Sequence, residues 1–382
     1  MIDTDPGSGG ATVADLQIRS GARAWARIDL SVLRHNLAIA RRYAPRSRVV
    51  CVIKADGYGH GLLKVARALQ SQADAFAVAT PDEAIALREA GIELPLLLLS
   101  AFWRKEQVAL LERFSLSPVV HSREQVTWLE ARRGQALDMW LKIDTGMHRV
   151  GIAPDDTAEL FARLHAAAHG GEVRLMTHFA NADDLQDDYT TRQLHRFDVA
   201  TAGLEAERSL ANSAGIVGWP DSHAGWVRPG IMLYGASPLL GRSAQALQLK
   251  PVMHLEARLI AIHDLAAGEP VGYGGIWRAS RRTRIGVVGC GYGDGYPRLV
   301  DERACVGLNN RRASLAGRVS MDMITVDLHD LPDARIGDPV QLWGDQIPVD
   351  EVAGWAGTIA YELTCQVTPR VPRLYSGADD GA

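Results

Sequence analysis

Long apolar stretches are missing from this chain. The strongest, around LPLLLL at 94–99, is far too short to cross a bilayer, so no membrane segment is expected. Cysteine is scarce. The four, at 51, 290, 305 and 365, form no CxxC pair, which argues against a zinc site and implies no disulfide framework; buried free thiols are the expectation. There is no basic excess. The net charge is −4 and the pI about 6.3, so nucleic acid is not an expected partner. No GxGxxG opens the first strand–helix unit. The N-terminal MIDTDPGSGGATVADL has neither a basic nor an apolar leader region. Residues 1–22 therefore read as a disordered tail, and the protein as cytoplasmic.

What is present is an alternation. Apolar runs that read as strands are VVCVIK (49–54), AFAVA (75–79), LPLLLLS (94–100), LSPVVHS (116–122), LDMWLKI (137–143), VRLMTHF (173–179), SLAN (209–212) and GWVR (225–228). Between most of them lies helical spacing, as in PDEAIALREAGI (81–92), EQVALLERF (106–114) and DTAELFARLHAAAH (156–169). Proline and two acids suit the first turn of the 81–92 helix. Eight such units predict an α/β fold, a (β/α)8 TIM-type barrel over residues 23–240, with an open doubly wound sheet as the rival. Beyond the linker-like SPLLGRSAQALQLKP the pattern changes to short strands and turns. Residues 241–376 therefore predict a second, mainly β domain, with VDEVAGWAG as one short helix.

Barrel chemistry gathers where the strands end. Lys54 closes the first strand, and a desolvated lysine there can form a Schiff base with a carbonyl. Glycines 57, 59 and 61 free the backbone to approach a ligand. Lys142 and Arg149 flank the fifth strand, His178 ends the sixth, Asn212 and Ser213 end the seventh, and Arg228 ends the eighth before Pro229 and Gly230. The last two strands are where barrels often bind phosphate. A Schiff-base lysine, a phosphate site and no metal cluster together suggest pyridoxal 5'-phosphate. A sugar phosphate, as in a barrel aldolase, is the alternative these residues leave open.

The motifs VIKADGYGHG, LKIDTGMHRVG, LMTHFANAD, ANSAG, VRPGIMLYG, VGYGGIW, GYGDGYPR and GRVSMDM are more specific. Through them the chain resembles the alanine racemase family, from ARIDLSVLRHNL (26–37) to YELTC and RVPR. The resemblance implies an isomerase that interconverts L- and D-alanine through a pyridoxal phosphate aldimine, supplying D-alanine as a peptidoglycan precursor or breaking alanine down. Lys54 would carry the cofactor and act as one base, and Tyr273 as the second. Tyr58, Ser213 and the backbone of Gly230 and Ile231 would hold the phosphate, with Asn212 and His178 nearby. Arg228 would donate to the ring nitrogen; an arginine cannot accept that proton, which leaves the ring a weaker electron sink. Arg149 would reach the cofactor oxygen and the substrate carboxylate, oriented by Lys142, a lysine often carbamylated in the family. The Met321 backbone would bind the carboxylate and Tyr292 would narrow the entrance. The resemblance implies that Tyr273, Met321 and Tyr292 come from the partner in a homodimer with shared active sites. No metal is implied. A serine or broader amino-acid racemase and a non-catalytic cofactor carrier are the alternatives. Two departures stand out. Pro369 replaces a tyrosine that the family often has, and His148 stands where glycine is common. Asp322 and Asp327 receive no chemical role.

Overall fold

The computed structural model describes residues 21–100 and 102–377, so the expected tail lies almost wholly outside the described residues. The chain divides into two units. One runs from Ser31 to Lys250; the other joins the segment up to Leu30 to residues from Pro251 onward.

In the first unit eight parallel strands close into a barrel. They are β2 (Arg48–Val52), β3 (Ala75–Val78), β4 (Leu96–Leu98), β5 (Leu116–Val120), β6 (Met139–Lys142), β7 (Val173–Met176), β8 (Arg208–Ser209) and β9 (Trp226–Val227). Closure comes from Arg48 opposite Trp226 and Val49 opposite Val227. The strands of β3, β4 and β5 are buried along their whole length. Parallel strands covered on both faces read as continuous apolar runs, which is why each was visible in the sequence. The expected helix at 81–92 forms as Pro81–Glu89, with Pro81 in its first turn and Thr80 capping Glu83 N–H. The open-sheet rival is set aside.

The second unit is mainly β. Its 13-residue strand β10 (Met253–Leu265) pairs with β1 (Ala24–Asp29), β11 (Thr283–Val288) and β12 (Pro339–Trp343). A register shift between Leu259 and Ala261 lets one strand serve two sheet directions. β1 also runs parallel to β13 (Arg373–Ser376). Residues 23–30, expected in the barrel, therefore build the β unit instead, and the change of unit falls at 250 rather than 240. Among the described residues two α-helices, not one, interrupt its strands: Val349–Ala356 and Ala360–Gln366. The thiol expectation also needs correcting. All four cysteines are free, but Cys365 is exposed.

No helix among the described residues is long and apolar enough to cross a membrane.

Candidate active site

Lys54 follows β2 by two residues and opens an unusual turn. Ala55, Asp56, Gly57, Tyr58 and Gly59 all have positive φ, at 54, 53, 62, 53 and 80°. This is one turn of left-handed helix, where each non-glycine residue costs about 1–2 kcal/mol. The glycines alone do not explain it, since Ala55, Asp56 and Tyr58 share the strain. Hydrogen bonds offset the cost. Gly57 N–H donates to Ile53 O at 2.9 Å and Gly59 N–H to Ala55 O at 2.9 Å. The Glu83 carboxylate accepts from Ala55 N at 2.7 Å and from Ala79 N at 2.8 Å, tying the turn to the end of β3. Asp56 accepts from Leu62 N at 2.8 Å. The sequence suggested a loosened loop; the chain instead forms a tight one. It brings the buried Tyr58 ring against Tyr234, with centroids 4.6 Å apart.

Across the barrel mouth, Ser213 Oγ accepts from Gly230 N at 2.8 Å. A side chain at Gly230 would meet Tyr58 Oη at 2.7 Å and Ser213 Oγ at 3.9 Å. Two hydroxyls and a bare backbone thus converge on a space that a single Cβ would fill. Asn212 is committed locally: its side chain accepts from Gly215 N at 2.9 Å.

Arg228 is buried directly after β9. Nη1 donates to Ser209 O at 2.8 Å and Ser209 Oγ at 2.7 Å, while Nη2 donates to Thr177 O at 2.7 Å and Leu210 O at 3.2 Å. His178 Nδ1 lies 3.4 Å from Nη2. Nε is the donor left without an acceptor among the described residues. Burial lowers this guanidinium's pKa to about 10, so it stays charged at neutral pH.

The remaining cations crowd the same mouth. Lys142, the last residue of β6, is buried; burial and then Arg228, Arg149 and Lys54 lower its pKa to about 8. Asp144 is the carboxylate acting against them. His178 keeps a solvent-accessible edge, yet surrounding protein atoms, and then Arg228, Lys142, Arg149 and Lys54, push its pKa well below the ordinary value. Arg149 is exposed in the loop after β6. His148 beside it has φ of 55°, which explains why glycine suits that place.

Supports not visible in the sequence hold this mouth. Thr145 and Thr177 share a hydrogen bond at 2.8 Å. The buried Gln193 amide donates to Thr145 Oγ1 at 3.2 Å and to His178 O at 3.1 Å. These are ordinary polar residues whose spacing announces nothing.

In the β unit, Tyr273 is 72% exposed, Met321 53% and Tyr292 38%. Tyr273 sits between Gly272 and Gly274, at φ of 70 and 76°. A groove lined by Tyr273, Arg318, Ser320 and Met323 adjoins it.

A barrel mouth that gathers two lysines and two arginines beside two hydroxyls has the donor set of an enzyme site for a small anion. The comparisons narrow this. Residues 28–238 match the family described as alanine racemase, N-terminal domain, and residues 252–375 its C-terminal domain. The catabolic alanine racemase of Pseudomonas putida is 48% identical over 93% of this chain and 99% of its own length. The crystal structure of the biosynthetic alanine racemase from Pseudomonas aeruginosa superposes with a TM-score of 0.90 at 47% identity, covering 93% of this chain and 99% of that one. That of Bartonella henselae, described with covalently bound pyridoxal phosphate, has a TM-score of 0.84 at 28% identity, covering 93% of this chain and 100% of that one. The chain belongs to the alanine racemase family.

Proposed function

We propose that this protein is a pyridoxal phosphate-dependent racemase that interconverts L- and D-alanine. The observation that carries the reading is the cluster of Lys54, Lys142, Arg149 and Arg228 at one barrel mouth, within a chain of this family.

The residues fit the cofactor. Tyr58, Ser213 and the backbone at Gly230 and Ile231 would hold the phosphate, where Gly230 leaves no side chain in the way, and the Arg228 Nε is a donor left for a ring nitrogen. Lys54 would hold the cofactor covalently through Nζ. When bound, pyridoxal phosphate delocalises the electron pair left at the substrate Cα as its proton departs. Arg228, charged at neutral pH, would donate to the ring nitrogen's lone pair and leave that nitrogen unprotonated, which would limit that delocalisation.

Two bases on opposite faces of Cα complete the inversion without turning the substrate. Lys54 Nζ moves the proton on one face and Tyr273 Oη on the other. Arg149 and the backbone N–H of Met321 would orient the carboxylate, and Tyr292 would narrow the entrance. An amine with a pKa of about 8 has a usable neutral fraction near neutral pH. Lys142 can therefore add CO2, releasing a proton, and the resulting carbamate would hold Arg149 in place.

We further read the active form as a cytoplasmic homodimer in which Tyr273, Met321 and Tyr292 serve the partner's barrel. Their exposure supports this, because large apolar groups gathered on a surface mark an interface. A bare-barrel carrier would lack the unit matched over residues 252–375.

The test mixes two inactive variants, Lys54→Ala and Tyr273→Ala, under conditions that allow subunit exchange. Shared sites predict recovery to about a quarter of wild-type activity, since half of the dimers are mixed and each has one intact site. No recovery, with mixed dimers demonstrated, would contradict sharing. The reaction itself is tested by adding L-alanine and following chirality. Enantiomers are equal in energy, so a racemase must stop at an equal mixture.

A further inference from the structure

We infer that Asp294, gripped by Arg23 and Arg370, is a positioning residue for the two turns that carry Tyr292 and Met321, and through them for binding of the substrate carboxylate. The inference rests on the function proposed above.

Asp294 is buried, with 2% of its side chain exposed. A buried carboxylate is tolerated only when its oxygens are taken up. Here Arg23 approaches as a fork: Nη1 donates to Oδ2 at 2.9 Å and Nη2 to Oδ1 at 2.8 Å. Oδ2 also accepts from Gly291 N at 3.0 Å, and Arg370 Nε lies 3.6 Å from Oδ1. The same two arginines reach the other turn. Arg23 Nη1 donates to Asp322 O at 2.7 Å, and both Arg23 and Arg370 bond the Asp322 carboxylate. Two arginines and two aspartates thus form a neutral clamp. It acts by geometry rather than by a net field.

What the clamp holds is a short ladder. Tyr292 N donates to Ser320 O at 3.1 Å, and Gly293 N to Met321 O at 2.8 Å. The two turns touch so closely that a Cβ at Gly291 would lie 2.2 Å from Ser320 O. Thr368 adds a third strap, with its Oγ1 donating to Gly293 O at 3.0 Å and its N–H to Asp294 O at 3.1 Å. With its carbonyl turned inward, Met321 presents an N–H that has no protein acceptor among the described residues. A backbone donor left this way requires water or an anion. The side chains of Tyr292 and Met321 point to solvent while their backbones are fixed from behind. The Asp294 carboxylate, 271 residues from Arg23, bonds both the fork and the first turn.

The experiment compares wild-type holoenzyme with Asp294→Asn and Arg23→Met. The readouts are KM and kcat for L-alanine, the cofactor's visible absorbance, and the Kd of propionate, which has alanine's carboxylate but no amine. A displaced turn predicts a rise in KM and in propionate Kd of about ten-fold, with kcat within about three-fold of wild type and the absorbance unchanged. Arg23→Lys, which keeps the charge and loses the fork, should recover part of the propionate affinity. Arg23→Lys keeps a cation beside the buried Asp294, so the propionate comparison can still be read in it where Arg23→Met or Asp294→Asn does not fold; an affinity equal to wild type in folded Arg23→Lys and Arg23→Met alike counts against the clamp. Unchanged propionate affinity and KM in Arg23→Met, beside an active wild type, overturn the clamp alone. A wild-type protein that leaves alanine untouched overturns the proposed function, and the clamp with it.

Discussion

At the end of the barrel where the strands begin, Arg174 lies 3.0 Å from Glu207 and 3.1 Å from Asp138, and Glu172 pairs with it as well. The guanidinium sits over the rings of Trp140 and Trp226, while Arg48 covers Trp226 from 4.0 Å and bonds Glu207. Burial alone would lower the Arg174 pKa, yet the carboxylates of Glu207 and Asp138 carry it upward. At the end where the strands finish, the shifts run the other way. Lys142 and Arg228 are both lowered, and the charges that act on Lys142 are mostly cations. One end satisfies its charges internally and closes the barrel. The other collects positive charge against its own stability, as a site does when an anion completes it. The same eight strands therefore separate stability from chemistry by which end a residue occupies.

Substitutions at the two ends should separate in the same way. The largest effect belongs to Lys54→Ala, which should lose more than about 10⁴-fold in kcat because it would remove both the proposed cofactor anchor and one proposed base. Absence of the cofactor's visible absorbance in the purified variant checks the anchoring role. Next comes Tyr273→Phe. Losing the proposed second acid–base group should lower kcat by about 10²–10⁴-fold. The ring is mostly exposed, so the thermal midpoint should stay in place. Arg174→Met makes the opposite claim. Losing three partly exposed ion pairs and the contact with the Trp140 and Trp226 rings should cost about 2–4 kcal/mol in urea unfolding while kcat of the folded fraction is kept.

The mildest effect is at Lys142, where pH supplies the test. Its pKa falls from 10.5 to about 8 on folding. Below pH 8 the folded chain therefore bears a buried charge, and that cost is relieved as pH rises toward 10.5. At 1.36 kcal/mol per unit the cost is about 3 kcal/mol. Lys142→Met should be more stable than wild type by that amount at neutral pH in bicarbonate-free buffer. The gain should shrink above pH 8 and vanish by about 10.5. Adding bicarbonate should narrow it at neutral pH if the carbamate forms.

The barrel was legible because its strands are apolar on both faces, and because Lys54, Lys142 and Arg228 each sit at or just past a strand end. Other parts were not. β1 has only six residues, and its partners lie more than two hundred positions away, so it read as part of the barrel. The left-handed turn uses Ala55 and Asp56, residues that carry no signal for positive φ. Asp294 and Asp322 stood inside quoted motifs, yet Arg23 meets them across 271 and 299 residues. No local spacing encodes such a cluster; only the folded β unit brings its members together.

The central claim is that Lys54 and Tyr273 work opposite faces of one carbon. It is tested most directly by proton NMR of L-alanine with the holoenzyme in deuterated water, together with chiral analysis of the product. The account predicts loss of the α-proton signal in step with the appearance of D-alanine, until both enantiomers are equal. Loss of the α-proton with the alanine remaining L would mean that one base works alone and would contradict the role given to Tyr273.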